Sequence, residues 1–77
     1  MDLSELKAQL TALGVPGDAY SLDGRLPNER YVIEAQPHGR WCVYYSERGL
    51  RTGLKEFESE AAACDCILML IRRDLGI

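Results

Sequence analysis

Residues 31–46 read YVIEAQPHGRWCVYYS, and this stretch decides the fold of the chain. Large and small or polar side chains alternate on both sides of Pro37-His38-Gly39, which is typical of two half-buried strands joined by a turn. Alternate residues of a strand share one face of a sheet, so each strand is predicted to carry two sets of side chains. In the first strand Tyr31, Ile33 and Ala35 alternate with Val32, Glu34 and Gln36, and in the second Trp41, Val43 and Tyr45 alternate with Cys42, Tyr44 and Ser46.

A third strand is predicted over residues 50–57, after a turn at Glu47-Arg48-Gly49. Its apolar residues are more widely spaced than those of the first two strands, and Gly53 interrupts them. Glycine weakens a strand interior and often marks an irregularity. We therefore expect a bulge or an edge strand here.

Amphipathic helices are predicted on both sides of this meander. The first has a capping-box pair, Asp2 and Glu5, and is ended by Gly14 and Pro16. Its leucines recur at helical spacing on one face. They are Leu3, Leu6, Leu10 and Leu13.

The last helix is predicted over residues 61–75, with Ser59 as N-cap and Glu60 at the positive end of the helix dipole. Its apolar residues cover roughly 200° of the circumference, while Asp65, Met69 and Arg72 lie outside this arc. One sheet face cannot cover so wide an arc. Either the leucines of the first helix or a second subunit must pack on it.

Residues 16–29 are rich in turn formers, and Tyr20 and Leu22 within them resemble a short edge segment that closes the core. A chain of 77 residues has room for one domain, residues 1–77. We predict an α+β fold in the order α-β-β-β-α. It has a three-stranded antiparallel sheet with both helices packed on one face, and its other face is open to solvent or a partner.

Composition indicates a folded globular protein, since 47% of the residues are hydrophobic and 27% are charged. The next two features predict a cytoplasmic location. The start of the chain is acidic, unlike a secretory signal, and no apolar run is long enough for a membrane span. Three cysteines without an export signal favour reduced thiols that serve as packing residues. They are Cys42, Cys64 and Cys66.

The net charge of −3 is unevenly distributed. Six basic and three acidic residues fall between residues 25 and 55, so the meander is basic and the helical parts are acidic. Arginine interleaved with aromatic residues is typical of protein interfaces and of nucleic-acid surfaces. The alternative is a solvated sheet face on which arginine stems cover aromatic rings.

No residue pattern predicts an enzyme, a cofactor or a metal site. His38 and Cys42 make a conceivable nucleophile pair, but a hairpin turn offers no enclosed pocket. Cys64 and Cys66 are two positions apart, so on a helix their thiols point away from each other and cannot bind one ion. Phosphate-binding and zinc-hydrolase motifs do not occur in the chain.

The element order is also that of double-stranded RNA-binding domains, which grip phosphates with lysines at the start of the last helix. Here that place reads Glu58-Ser59-Glu60. These carboxylates would repel phosphate. Weak nucleic-acid binding through the basic meander therefore stays only an alternative.

Over nearly the whole chain the sequence resembles a group of small bacterial proteins. The likeness lies in residues 18–22, DAYSL, in residues 26–29, LPNE, in residues 31–34, YVIE, and above all in residues 41–49, WCVYYSERG, with Phe57, Ser59 and Cys64 after them. That group is similar to immunity-type proteins found near polymorphic toxins. The resemblance implies a protein that binds and neutralises a cognate toxin.

We therefore expect a non-catalytic protein-interaction module that uses the meander. The alternative is a structural homodimer that shares the apolar arc of the last helix. If Trp41, Val43 and Tyr45 form the core side, Tyr44 is the exposed aromatic. The predicted binding residues are aromatic anchors and nearby charges. They are Trp41, Tyr44, Tyr45, Glu47, Arg48 and Arg51.

Overall fold

A computed structural model describes residues 1–22 and 29–77, which form two helices and four strands. The predictions for Arg25 and for Leu26-Pro27-Asn28 lie outside the described residues. In chain order the elements are α1 (Leu3–Ala12), β1 (Tyr20–Ser21), β2 (Arg30–Ala35), a 3₁₀ turn (Pro37–Gly39), β3 (Trp41–Glu47), β4 (Leu50–Phe57) and α2 (Glu60–Leu75).

The sheet has the order β1-β2-β3-β4 and is mixed. Strands β2, β3 and β4 form the predicted antiparallel meander. The prediction of three strands was wrong by one, because β1 adds a short parallel pairing in which Tyr20 lies opposite Tyr31. The backbone N–H of Tyr31 also donates to the carbonyl oxygen of Ala19 at 3.1 Å. A two-residue strand has too little periodicity to predict such a pairing.

Helix α1 begins and ends as its sequence predicts. The Asp2 side chain accepts from the backbone N–H of Glu5, and the Glu5 side chain accepts from the backbone N–H of Asp2. At the other end Gly14 has φ 78°, and the N–H of Val15 donates to the carbonyl of Leu10 at 3.0 Å. This left-handed glycine lets Val15 fold back onto the core, as in a Schellman ending.

Helix α2 begins after Ser59, whose hydroxyl accepts from the N–H of Ala62 at 3.1 Å. It ends at Gly76, which is left-handed. Asp65, Met69 and Arg72 are exposed, as the apolar arc predicts. The buried residues of the helix are Ala63, Cys64, Ile67 and Ile71.

One core joins both helices to one face of the sheet, which we call the helix face. Ile33 and Val43 come from this face, Leu6 and Leu10 come from α1, and the four buried residues of α2 lie between them. The leucine side of α1 therefore covers part of the wide apolar arc of α2 within one chain. Of the two ways to cover that arc, the structure shows the intramolecular one.

The opposite face of the sheet, the outer face, was predicted to be open, and this was wrong in part. Val32, Cys42 and Tyr44 form a second buried cluster there, with exposures of 0% to 1%. Ser46 on the same face is also fully buried. Alternation along a strand predicts which residues share a face, but it does not predict what covers that face.

Within residues 1–22 and 29–77, neither helix combines the length and apolarity needed to cross a membrane.

Candidate protein-binding surface

The turn between β3 and β4 is a two-residue hairpin of unusual backbone conformation. Glu47 lies opposite Leu50, and the residues between them, Arg48 and Gly49, have φ 50° and φ 79°. Positive φ at both central residues defines a type I′ turn, which matches the twist of antiparallel strands and favours Asn-Gly. Glycine fits its position at no cost, but arginine does not. Arg48 is thus held in a conformation that its side chain disfavours.

Two of the predicted aromatic anchors belong to the core side. Trp41 and Tyr45 lie on the helix face, where both are half-buried. Trp41 packs against the main core. The Tyr45 ring meets Tyr31 edge to face, with ring centroids 5.0 Å apart. Val43, between them, belongs to the main core, so the face assignment for Trp41, Val43 and Tyr45 is confirmed.

The prediction that Tyr44 is the exposed aromatic was wrong, because only 1% of it is accessible. The guanidinium of Arg51 lies 5.3 Å from the centre of the Tyr44 ring, a cation–π distance. Burial, followed by the charge of Glu34, raises the pKa of Tyr44. Within the described chain, the Tyr44 hydroxyl and the Ser46 hydroxyl have no hydrogen-bond partner. Tyr44 therefore supports the sheet from within, and the accessible group above it is Arg51.

Strand β4 is the most exposed strand of the sheet. Every residue from Leu50 to Glu56 is exposed, and only Phe57 is half-buried. Leu50 has 69% of its surface accessible and Leu54 has 43%. Apolar side chains on an open strand edge invite pairing with another chain. The sequence pattern showed the weak strand, but it did not single out these two leucines.

A bulge divides β4. Val43 lies opposite Lys55, and Tyr45 lies opposite Thr52, so Tyr44 faces two residues, Gly53 and Leu54. Gly53 has φ 65°, a conformation for which glycine is suited. The bulge predicted around this glycine is confirmed.

Both signs of charge occur along β4. Arg51 and Lys55 are exposed, and the Glu56 carboxylate lies 3.8 Å from the Arg40 guanidinium. The side chains of Arg40 and Glu56 are each about half exposed to solvent, so their ion pair contributes little to stability. The strand therefore presents charges of both signs to a partner instead of a uniform basic field.

The thiols lie in surroundings that disfavour a nucleophile. Cys42 accepts from the Gln36 amide at 3.1 Å and lies 3.5 Å from the Glu34 carboxylate. Burial and then the charge of Glu34 raise the pKa of Cys42. Burial also raises the pKa of Cys64 and of Cys66. Since the thiolate is the reactive form, these thiols are held in their less reactive form at neutral pH.

His38 lies in the exposed 3₁₀ turn, where its φ is 64°. Among the described residues no group of three or more His, Cys, Asp or Glu side chains has the arrangement of a metal site. The features that the structure does bring together are the strained hairpin and the exposed strand that follows it.

Comparison of the chain with known proteins matches no protein-family model, no curated protein and no solved structure.

Proposed function

We propose that this protein is a non-catalytic protein-interaction module whose working surface is the β3–β4 hairpin and strand β4. The observation that carries this proposal is the exposure of an eight-residue edge strand that bears two accessible leucines. Natural sheets usually shorten or cover such edges. A strand left open over this length supports a role in binding another chain.

Three of the residues predicted from the sequence belong to this surface. Glu47, Arg48 and Arg51 are exposed at the hairpin, and Leu50 lies among them. Arginine beside an apolar contact is a composition enriched at protein interfaces. Trp41, Tyr44 and Tyr45 act in this proposal as supports of the surface, because their rings are half-buried or buried.

A protein partner is favoured over nucleic acid by the charges. The basic residues of the meander are interrupted by Glu47 and Glu56, and Arg40 is already paired with Glu56. Phosphate binding needs several unopposed cations. The resemblance to immunity-type proteins makes a secreted toxin the partner to test first.

The experiment is capture with the tagged protein from a lysate of its own host, with a toxin encoded nearby as the purified follow-up. The binding variant is Arg48→Glu/Leu50→Ser. The matched control is Arg73→Glu/Met69→Ser, which makes the same kinds of change on exposed positions of α2. Capture of one protein by wild type and by the control, but not by the hairpin variant, is the expected result.

Equal capture by all three proteins would place the binding surface elsewhere and overturn the proposal. Retention of RNA or DNA at low salt, with loss at higher salt, would instead support the nucleic-acid alternative.

A further inference from the structure

The backbone of the meander shows which groups of β4 point out of the sheet. The N–H of Gln36 donates to the carbonyl of Arg40 at 2.7 Å, so this pair is hydrogen-bonded. Hydrogen-bonded and non-hydrogen-bonded pairs alternate along an antiparallel ladder. The pair of Glu34 with Cys42, two steps further, is therefore hydrogen-bonded as well. It follows that the outer-face residues of β3 direct their backbone groups to β2.

The helix-face residues of β3 then direct their backbone groups to β4. The backbone groups of their partners on β4 are directed back toward β3. These partners are Leu50, Thr52, Lys55 and Phe57. The outer-face residues of β4 that pair with Ser46 and Cys42 differ. Their backbone N–H and C=O groups are directed away from β3, toward the open edge of the sheet. These outward residues are Arg51 and Glu56.

The bulge sets an odd spacing between the two outward residues. Arg51 and Glu56 are five positions apart in the sequence. On a regular strand, residues that point the same way are separated by an even number of positions. A regular strand meets both residues only across the bulge, as β3 does with Ser46 and Cys42, which are four positions apart. A second β4 that runs in the opposite direction has the same five-residue spacing, so both of its outward residues can lie opposite those of the first strand.

We propose that β4 pairs antiparallel with β4 of a second copy of this chain, with Arg51 opposite Glu56 of that copy. This inference rests on the proposed function and names the partner of the same strand. A two-fold axis passes between Gly53 and Leu54, so each contact occurs twice. The two four-stranded sheets become one continuous sheet.

The side chains are complementary in this register. On the outer face each Arg51 meets a Glu56, an opposite-charge cross-strand pair. On the helix face each Leu50 meets a Phe57, which covers the most exposed apolar side chain of the strand. Thr52 meets Lys55 between them. A shift of the strands by two residues removes the Leu50–Phe57 pairs in either direction. It places Arg51 opposite Leu54 in one direction and opposite Glu58, which lies beyond the end of β4, in the other.

The test is a charge-reversal series followed by sedimentation and by light scattering across a range of concentrations. Wild type is expected to show twice the 8.6 kDa chain mass at high concentration and to dissociate on dilution. Arg51→Glu places Glu opposite Glu, and Glu56→Arg places Arg opposite Arg. Each single variant is expected to weaken the dimer by at least about tenfold.

Two rescues are specific to this register. The double variant Arg51→Glu/Glu56→Arg restores opposite charges between the chains but loses the Arg40–Glu56 pair within each chain, so it should dimerise at least about threefold more tightly than either single variant. An equimolar mixture of the two single variants should form a heterodimer, because both of its contacts then join opposite charges. Circular dichroism of each variant checks that the exposed substitutions leave the fold intact.

Several outcomes would overturn the inference. A strictly monomeric wild type at the highest soluble concentration rules it out, as does a dimer that the charge series does not change. Capture of another protein by a monomeric wild type, with loss in the hairpin variant, would keep the proposed function and remove the self-pairing. If dimerisation follows the charge series and no other protein is captured, the result supports self-pairing and argues against binding of a different protein.

Discussion

At the scale of single residues, Arg48 is the clearest conflict between local preference and observed conformation. Its φ of 50° lies in the left-handed region, which costs non-glycine residues about 1 to 2 kcal/mol. The neighbouring strands hold it there, because Glu47 and Leu50 are paired across the turn. Such strain is often kept where a side chain has a function.

Arg48→Asn is expected to stabilise the fold by about 0.5 to 1 kcal/mol, because asparagine adopts the first position of a type I′ turn more readily. Urea unfolding followed by tryptophan fluorescence measures the change. In the capture experiment the same variant should bind less, if the guanidinium contacts the partner.

Arg51→Asn is the control for this substitution, since Arg51 lies in a strand and has no strained backbone to relieve. It should lower stability slightly through loss of the contact with the Tyr44 ring. A lower free energy of unfolding for Arg48→Asn than for wild type would contradict the turn argument.

At the scale of elements, one carboxylate joins the starts of the two helices. The backbone N–H of Leu3, in the first turn of α1, donates to the Glu60 carboxylate at 2.8 Å. Glu60 is also the first residue of α2, where its charge suits the helix dipole. The sequence indicated only the interaction of Glu60 with the dipole of α2. Its hydrogen bond to Leu3 joins residues 57 positions apart, which no local pattern shows.

Glu60→Ala is expected to lower the free energy of unfolding by about 1 kcal/mol, since it leaves a first-turn N–H of α1 without its acceptor. Glu60→Gln should lose less, because the amide oxygen can still accept. Chemical denaturation of both variants provides the measurement.

Glu58→Ala is the matched control, because Glu58 is exposed and lies just before the same helix. It removes one negative charge near the dipole and should cost a few tenths of a kcal/mol. Equal losses for Glu58→Ala and Glu60→Ala would show that the charge matters and the hydrogen bond to α1 does not.

At the scale of the whole molecule, the buried thiols and phenols couple stability to alkaline pH. Burial raises the pKa of Cys42 and Cys64 above the ordinary value of 9.0, and that of Tyr44 above 10.0. The folded chain therefore holds these protons more tightly than the unfolded chain. Their contribution to stability is full below the unfolded pKa and is lost as pH rises through the folded pKa.

The free energy of unfolding is thus expected to fall with pH from about pH 9 upward. Tyr44→Phe should make the fall shallower above about pH 10, because the variant removes one of the groups that must ionise. Urea midpoints taken at several pH values test this, and a midpoint that stays constant through pH 11 would refute the coupling.

Much of the fold was predictable because it depends on contacts between close neighbours in the sequence. The caps at Asp2 and Ser59, the glycine that ends α1 and the period-2 strands each use residues within a few positions of one another. The bulge at Gly53 belongs to the same group. These features agree with the structure to within one or two residues at each boundary.

The candidate site was predicted less well, because its exposure depends on distant parts of the chain. Alternation placed Tyr44 on the face of the sheet away from Trp41, yet its ring lies in the second buried cluster, with 1% of its surface accessible. Leu50 and Leu54 belong to the strand predicted over residues 50–57, but their accessibility follows from the position of β4 at the sheet edge.

The amino-acid sequence by itself determined where the two helices, the three strands of the meander and their turns begin and end, since local sterics and hydrogen bonding decide them. Tertiary structure alone decided that β1 joins the sheet, that Glu60 completes α1 and that the outer face buries Tyr44. It also decided that the backbone groups of Arg51 and Glu56 both face the open edge of the sheet, because pairing with β3 sets the direction of those groups. Such features need partners far apart in the chain, which no local pattern encodes.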